Sequence, residues 1–228
     1  MRPFRTVGVI GGMGPAATAD FLARLVAGVT AASDSDHPRV LIDSNPHVPD
    51  RNAAARGEGP SPGPALAAMA RGLVGQGAQL LAMPCNAAHG WADAIDVEVP
   101  FISMIDAALG EALAHGPRCI GVLAVGATLA LDLYGRASPV PVLAGDLGVV
   151  QPAVTAIKAG NRSDDTRAAL AGEAARLAAA GAEVIIAACT EVPLLLRQAD
   201  VAVPLIDSTA ALARATLAAA AMPDMDGR

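Results

Sequence analysis

Met83-Pro84-Cys85-Asn86-Ala87-Ala88-His89 follows a short apolar run at 79–82, and the chain says something very similar again 104 residues later. There Gly181-Ala-Glu-Val-Ile-Ile-Ala-Ala-Cys189-Thr190-Glu191 repeats Gly77-Ala-Gln-Leu-Leu-Ala-Met-Pro-Cys85-Asn86-Ala87. In each copy a Cys stands where a run short enough for a buried strand gives way to a polar turn. Other pieces repeat in the same order. Arg118-Cys119-Ile-Gly-Val-Leu matches Arg5-Thr6-Val-Gly-Val-Ile at an offset of 113, and Val203-Pro204-Leu205-Ile206-Asp207 echoes Val99-Pro100-Phe101-Ile102-Ser103 at 104. The chain reads as an internal duplication.

Around those pieces the pattern predicts strands at 6–10, 40–43, 79–83, 100–102, 118–123, 140–143, 183–188 and 203–207. Helices are expected at 15–30, 65–76, 104–114 and 164–180, with a last one running to about 221. Pro15 suits a first helical turn, where its missing N–H costs nothing. Short apolar strands alternating with helices imply parallel sheets covered on both faces. The expected fold is therefore α/β, with two similar parallel-sheet, three-layer domains. The first, 1–108, carries Cys85, and the C-terminal helix is a candidate to pack on it; the second, 109–228, carries Cys189. Ligands in such folds collect beyond the carboxyl ends of the strands. An active site is accordingly expected in the cleft between the halves, with both thiols lining it. Residues 45–64, rich in Pro and Gly, are expected to form an irregular loop over the ligand, and 222–228 to fray.

Composition narrows the function. Apolar residues make up 53% of the 228 but aromatics only 2%, so the core must be built from Ala, Leu, Val and Ile. A formal net charge of -6 argues against nucleic acid or an anionic membrane as partner. It leaves a small anionic ligand open, because one or two local cations can dominate a pocket. Three Cys do not make a disulfide framework. No apolar run approaches a membrane span, and 1–6 lack a charged-then-apolar export pattern. A soluble cytoplasmic protein is expected.

Two thiols on opposite walls suit one chemistry well. A base on one face takes a proton from carbon, and an acid on the other returns one, inverting the centre. Free thiols, with pKa about 8.5, can serve in both roles. Turn positions beside helix N-termini are expected to ease formation of the thiolate. Asn86 and Thr190 offer donors to a carboxylate, or simply cap helices. Arg51 and Lys158 are candidate clamps for a distal carboxylate or merely solvated cations. His89 either orients Cys85 or is a satisfied structural histidine; Glu191 is a cap or orienter, and Asp207 a further strand-end candidate. Cys119, at the start of a buried strand, is expected only to pack. Gly12-Met-Gly14-Pro-Ala-Ala17 fits a loose dinucleotide pattern, but no acidic residue follows at the required distance, and the turn can equally surround a carboxylate. No metal-ligand spacing and no phosphate-binding lysine motif stand out.

The gathered residues resemble the aspartate/glutamate racemase family of cofactor-independent amino-acid racemases. The matching pieces are Gly11-Gly-Met-Gly-Pro-Ala-Ala-Thr18, Asn45-Pro-His-Val-Pro-Asp-Arg51, Met83 to His89, Cys189-Thr-Glu-Val-Pro-Leu194 and Pro204-Leu-Ile-Asp207, spread over nearly the whole chain. The resemblance implies two α/β domains, no cofactor, no metal, and a homodimer acting on a small anionic amino acid or dicarboxylate. It makes Cys85 and Cys189 the catalytic pair, Asn86 and Thr190 contacts of the α-carboxylate, and Arg51 and Lys158 contacts of the side-chain carboxylate. Met13, Ala87, Thr128 and Glu191 complete the expected substrate-binding set. The family usually carries Thr after Cys-Asn, where this chain has Ala87. Its Leu-Ala-Thr-x-Gly-Thr run becomes Leu123-Ala124-Val125-Gly126-Ala127-Thr128. Losing a buried donor costs on the order of 1–3 kcal/mol of ligand interaction, which is enough to alter substrate preference. The leading expectation is racemisation of aspartate, then glutamate. Behind it stand an isomerase, decarboxylase or lyase using one thiol on another small carboxylic acid, then a non-catalytic carboxylate-binding protein, and last a dinucleotide oxidoreductase.

Overall fold

The computed structural model describes residues 4–222; the expectation for the tail at 223–228 lies outside them. Eight strands form two four-stranded parallel sheets. β1 (Val7–Gly11), β2 (Val40–Ser44), β3 (Leu80–Ala82) and β4 (Phe101–Ile102) make the first, in the order β2-β1-β3-β4. β5 (Ile120–Ala124), β6 (Val142–Ala144), β7 (Val184–Ala188) and β8 (Leu205–Asp207) make the second, in the order β6-β5-β7-β8. The two orders are the same once the numbering is shifted by four, as a duplicated chain requires. β1, β3, β5 and β7 are buried along their whole length, which is why they read as unbroken apolar runs.

The duplication reaches down to single atoms. Gly8 in β1 and Gly121 in β5 hold equivalent positions under α3 (Gly63–Gly75) and α7 (Asp164–Ala179). A Cβ on Gly8 would stand 2.6 Å from Leu81 and 3.3 Å from Leu73; on Gly121 it would stand 2.5 Å from Ile185 and 3.2 Å from Leu177. In both halves a Cβ on the central strand would be crowded by a side chain of the neighbouring strand and by the covering helix.

The opposite faces of the sheets are covered by exchange. α4 (Met104–Leu113) follows the first sheet, yet Ile105, Ala108, Leu109 and Ala112 pack with Ile120, Val122, Val184 and Ile186 of the second. α8 (Ser208–Ala220) follows the second sheet, yet Leu212, Ala213 and Ala220 pack with Val7, Val9, Leu80 and Phe21 of the first, beside α1 (Pro15–Ala27). α4 and α8 are tied to each other by a two-armed ion pair, Arg214 to Glu111 at 2.6 Å on each arm. Arg24 of α1 reaches Asp207 at 2.7 Å. A division at 108/109 falls inside α4, a helix that serves the second sheet.

Three α-helices were not expected, besides short 3-10 turns such as that at Ala87–Ala94. The 45–64 stretch is not wholly irregular: α2 (Arg51–Ala55) forms inside it, capped by Asp50, whose carboxylate accepts from Ala53 N–H at 2.7 Å. α5 (Gly126–Ala130) follows β5, and α6 (Leu147–Lys158) follows β6 despite Pro152 in its interior. Elsewhere the observed bounds fall within a few residues of the expected ones. Cys119 lies one residue before β5 and is partly exposed, so it is not the packed strand residue expected.

Candidate active site

Cys85 follows β3 after Met83 and Pro84, and Cys189 follows β7 directly. Both are free thiols, each only 6% exposed, and they line one cleft at the carboxyl ends of the two sheets. Around them stand Met13, Arg51, Asn86, Ala87, Lys158, Thr190 and Glu191. Its empty volume, counting the space open to solvent, is about 410 Å³.

Each wall is built by a turn the sequence encodes locally. Gly12 has φ +91, and a Cβ there would meet the Asn45 backbone at 2.4 Å, so only glycine can lead the chain from β1 to Met13. Arg51 is the first residue of α2, and its Nη1 donates to the carbonyls of Val48 and Pro49 at 3.1 and 3.0 Å, which sets the guanidinium. Lys158, the last residue of α6, places Nζ 3.7 Å from Glu191 Oε1; its side chain is half exposed while that of Glu191 is 7% exposed.

The thiols are equivalent in position but not in chemistry. Burial pushes both above the ordinary thiol range, which overturns the expectation that turn positions would ease thiolate formation. For Cys85 burial is opposed chiefly by the Arg51 guanidinium, and then by the Ala88 N–H. For Cys189 it is reinforced by the neighbouring Glu191 carboxylate, which holds the thiol up much further. The Cys189 thiol donates to Glu191 Oε2 at 3.0 Å, and the Thr190 hydroxyl donates to the same oxygen at 3.1 Å. Resting Cys189 is thus a proton donor, and Cys85 is the thiol more readily ionised.

Asn86 lines the cleft, but much of its amide faces inward. Oδ1 accepts from Tyr134 Oη at 2.6 Å, and Nδ2 donates to Ser208 Oγ at 3.1 Å. One N–H remains for a ligand. His89 is a structural histidine that also holds the Cys85 turn. Its Nε2 accepts from the Met104 N–H at 2.9 Å, which requires the proton on Nδ1, and Nδ1 donates to the Cys85 carbonyl at 2.8 Å. Burial lowers its pKa to about 4, so it stays neutral. Asp207 caps α8, accepting from Thr209 and Ala210 N–H at 2.9 and 3.1 Å.

Thr128 is the expected site residue that the structure does not bring to the cleft. It is buried in α5 and lines a separate small cavity with Val122, Tyr134 and Val142. Asp50, Asn52, Val125 and Ala188 line the cleft without having been singled out as contacts. Asn52 has a further duty. Val125 stands at the N-cap of α5 with no side-chain oxygen to offer, and Asn52 Oδ1 accepts the Ala127 N–H at 2.8 Å in its stead. The signal for this was the Val at a capping position, which obliges some other residue to supply the acceptor.

Known proteins share this fold. The aspartate racemase of Picrophilus torridus superposes with a TM-score of 0.85 at 28% identity, covering 95% of this chain and 94% of that one. The broad-specificity amino-acid racemase RacX of Bacillus subtilis is 27% identical over 232 residues, 92% of this chain and 96% of its own length. The glutamate racemase of Herpetosiphon aurantiacus is 34% identical over 168 residues, 67% of this chain and 64% of its length. The sequence pattern described as Asp/Glu/Hydantoin racemase matches residues 10–216, from the end of β1 into α8 and across both cysteine turns. The chain belongs to the Asp/Glu/Hydantoin racemase family.

Proposed function

We propose that the chain is a cofactor-independent amino-acid racemase in which Cys85 and Cys189 act as opposed base and acid on an acidic amino acid, aspartate before glutamate. One observation carries this: two buried thiols stand at equivalent strand ends of a duplicated fold and line the same cleft. The Cys85 thiolate, favoured by Arg51, removes the Cα proton. The resulting carbanion is stabilised through its carboxylate by the Thr190 hydroxyl, the remaining Asn86 N–H and the turn backbone. Cys189 delivers its proton to the opposite face and is left as the thiolate. For the other enantiomer the roles reverse. Cys85 first takes up a proton from solvent, and the Cys189 proton passes to Glu191. The Cys189 thiolate then removes the Cα proton while the Cys85 thiol returns one to the opposite face. Arg51 and Lys158 receive the distal carboxylate.

A second reading is favoured by Met13, Ala87 and Val125, three side chains without hydroxyls among the residues that line the cleft. Neutral amino acids would then be accepted as well. Both readings are tested by solvent-deuterium incorporation at Cα across D- and L-amino acids. Exchange confined to aspartate and glutamate supports the first, and exchange over aliphatic amino acids the second. Turnover without exchange overturns the mechanism. Cys85→Ser and Cys189→Ser should each abolish racemisation; activity surviving one of them points to single-thiol isomerase, decarboxylase or lyase chemistry. Binding of a dicarboxylate without exchange or turnover points to a carboxylate-binding protein. A homodimer completes the proposal, supported by the family resemblance and checked by sedimentation; a cytoplasmic location is checked by cell fractionation.

A further inference from the structure

Behind the cleft, four buried groups form one directed hydrogen-bond chain. Ser208 Oγ lies 2.7 Å from the Ala187 carbonyl, which can only accept, so the serine proton points there. Ser208 Oγ must then accept from Asn86 Nδ2 at 3.1 Å. The other end of that amide is an acceptor, and it takes the Tyr134 O–H at 2.6 Å. The chain runs Tyr134 to Asn86 to Ser208 to Ala187, with each donor committed. Tyr134, Asn86 and Ser208 are 2%, 3% and 0% exposed, and Ala187 is fully buried.

Its end points matter more than its strength. Asn86 is the residue after Cys85, and Ala187 lies in β7 two residues before Cys189. Ser208 is the first residue of α8, the helix that covers the first sheet, while Tyr134 belongs to the second half, after α5. The chain crosses between the halves directly behind both thiols. Burial, with the Cys189 sulfur nearby, holds the Tyr134 phenol well above its usual range, so it remains a donor across the working pH range.

We propose that Tyr134 and Ser208 are positioning residues for the two-thiol reaction: acting through Asn86, they fix how Cys85 and Cys189 stand relative to one substrate carbon. This rests on the racemase proposal. Neither residue touches substrate, and neither was apparent from the sequence, because the chain joins positions up to 122 residues apart.

Tyr134→Phe and Ser208→Ala each remove one hydroxyl. For racemisation in deuterium oxide, kcat per folded protein should fall roughly tenfold or more, since small displacements of reacting groups are costly. KM should change little. The decisive readout is where the label goes. A well-set pair places deuterium in the product enantiomer only, whereas a mis-set pair returns labelled substrate of unchanged configuration. A rise in the ratio of labelled substrate to labelled product supports the proposal. Loss of activity with an unchanged ratio, or full activity, overturns it. If Tyr134→Phe fails to fold, Ser208→Ala gives the same readout. Wild type lacking exchange with every amino acid tested would overturn the racemase proposal instead. The positioning role is then read from iodoacetamide labelling of Cys85 and Cys189, located by mass. A changed ratio in either variant supports it, and an unchanged ratio overturns it.

Discussion

The Cys189 thiol donates to Glu191 Oε2 at 3.0 Å, and this contact makes two cysteines of equivalent position unequal in acidity. Glu191 raises the Cys189 pKa by its charge and by accepting the thiol proton. Glu191→Gln removes the charge, so the Cys189 pKa should fall and its alkylation at neutral pH should quicken. Racemisation should drop roughly tenfold or more, as expected for loss of a proton-transfer partner. Alkylation of Cys189 that is unchanged in the variant would count against Glu191 as the cause.

Arg51 has the opposite effect on the other thiol. It is the largest influence lowering the Cys85 pKa against burial. Arg51→Gln should therefore move the acid limb of the pH–rate profile to higher pH and slow the enzyme most near neutrality. Because both thiols lie above their ordinary range, wild-type kcat/KM should still be rising above pH 7. A flat profile from pH 7 to 9 would show that thiol ionisation does not limit the rate.

His89 makes stability depend on pH. Its pKa is about 4 in the folded chain, below the usual ~6.5 of an unfolded histidine. The unfolded state therefore binds more protons between these values. Its contribution is intact above about pH 6.5 and is lost as pH falls toward 4, by at most about 1.4 kcal/mol per unit. Urea unfolding at pH 7 and pH 5 should show the loss, and His89→Gln should reduce it.

Asn52 caps α5 from the other half of the molecule, so Asn52→Ala should cost about 0.5–2 kcal/mol of unfolding free energy, the usual value of a lost cap. It should also raise KM, since α2 carries Arg51. Val125→Thr supplies a hydroxyl at the N-cap itself, and the double variant should recover much of the stability. An unrecovered double variant would place the cost elsewhere than the Ala127 N–H.

The parts of this molecule legible in the sequence are those whose physics is local. β1, β3, β5 and β7 declare themselves because burial on both faces excludes polar residues. The cysteine turns stand out because the duplication repeats them. α6 escaped notice because Pro152 and Gly148 break the helical pattern, while its Val150, Ala153, Val154 and Ile157 are held by packing. α2 is hidden in a Pro- and Gly-rich stretch, where the Asp50 cap was its main local mark. Thr128 lies in the short helix α5 and lines a separate small cavity, a placement that its neighbours in the sequence do not mark. Tyr134 and Ser208 could not be found at all, since their meaning lies in a partner distant in the chain.

The exchange of α4 and α8 gives the cleft a mechanical character. Each sheet is roofed by a helix belonging to the other half, and Arg214 clamps the two roofs together. Cutting the chain between the sheets would strip both of cover, so neither half is expected to fold as an autonomous fragment. Nor can the halves swing apart on a single hinge, because opening would have to peel two helices from their beds. Opening of the cleft is therefore expected to come from small local shifts of segments that line it, such as α2 and the Lys158 end of α6.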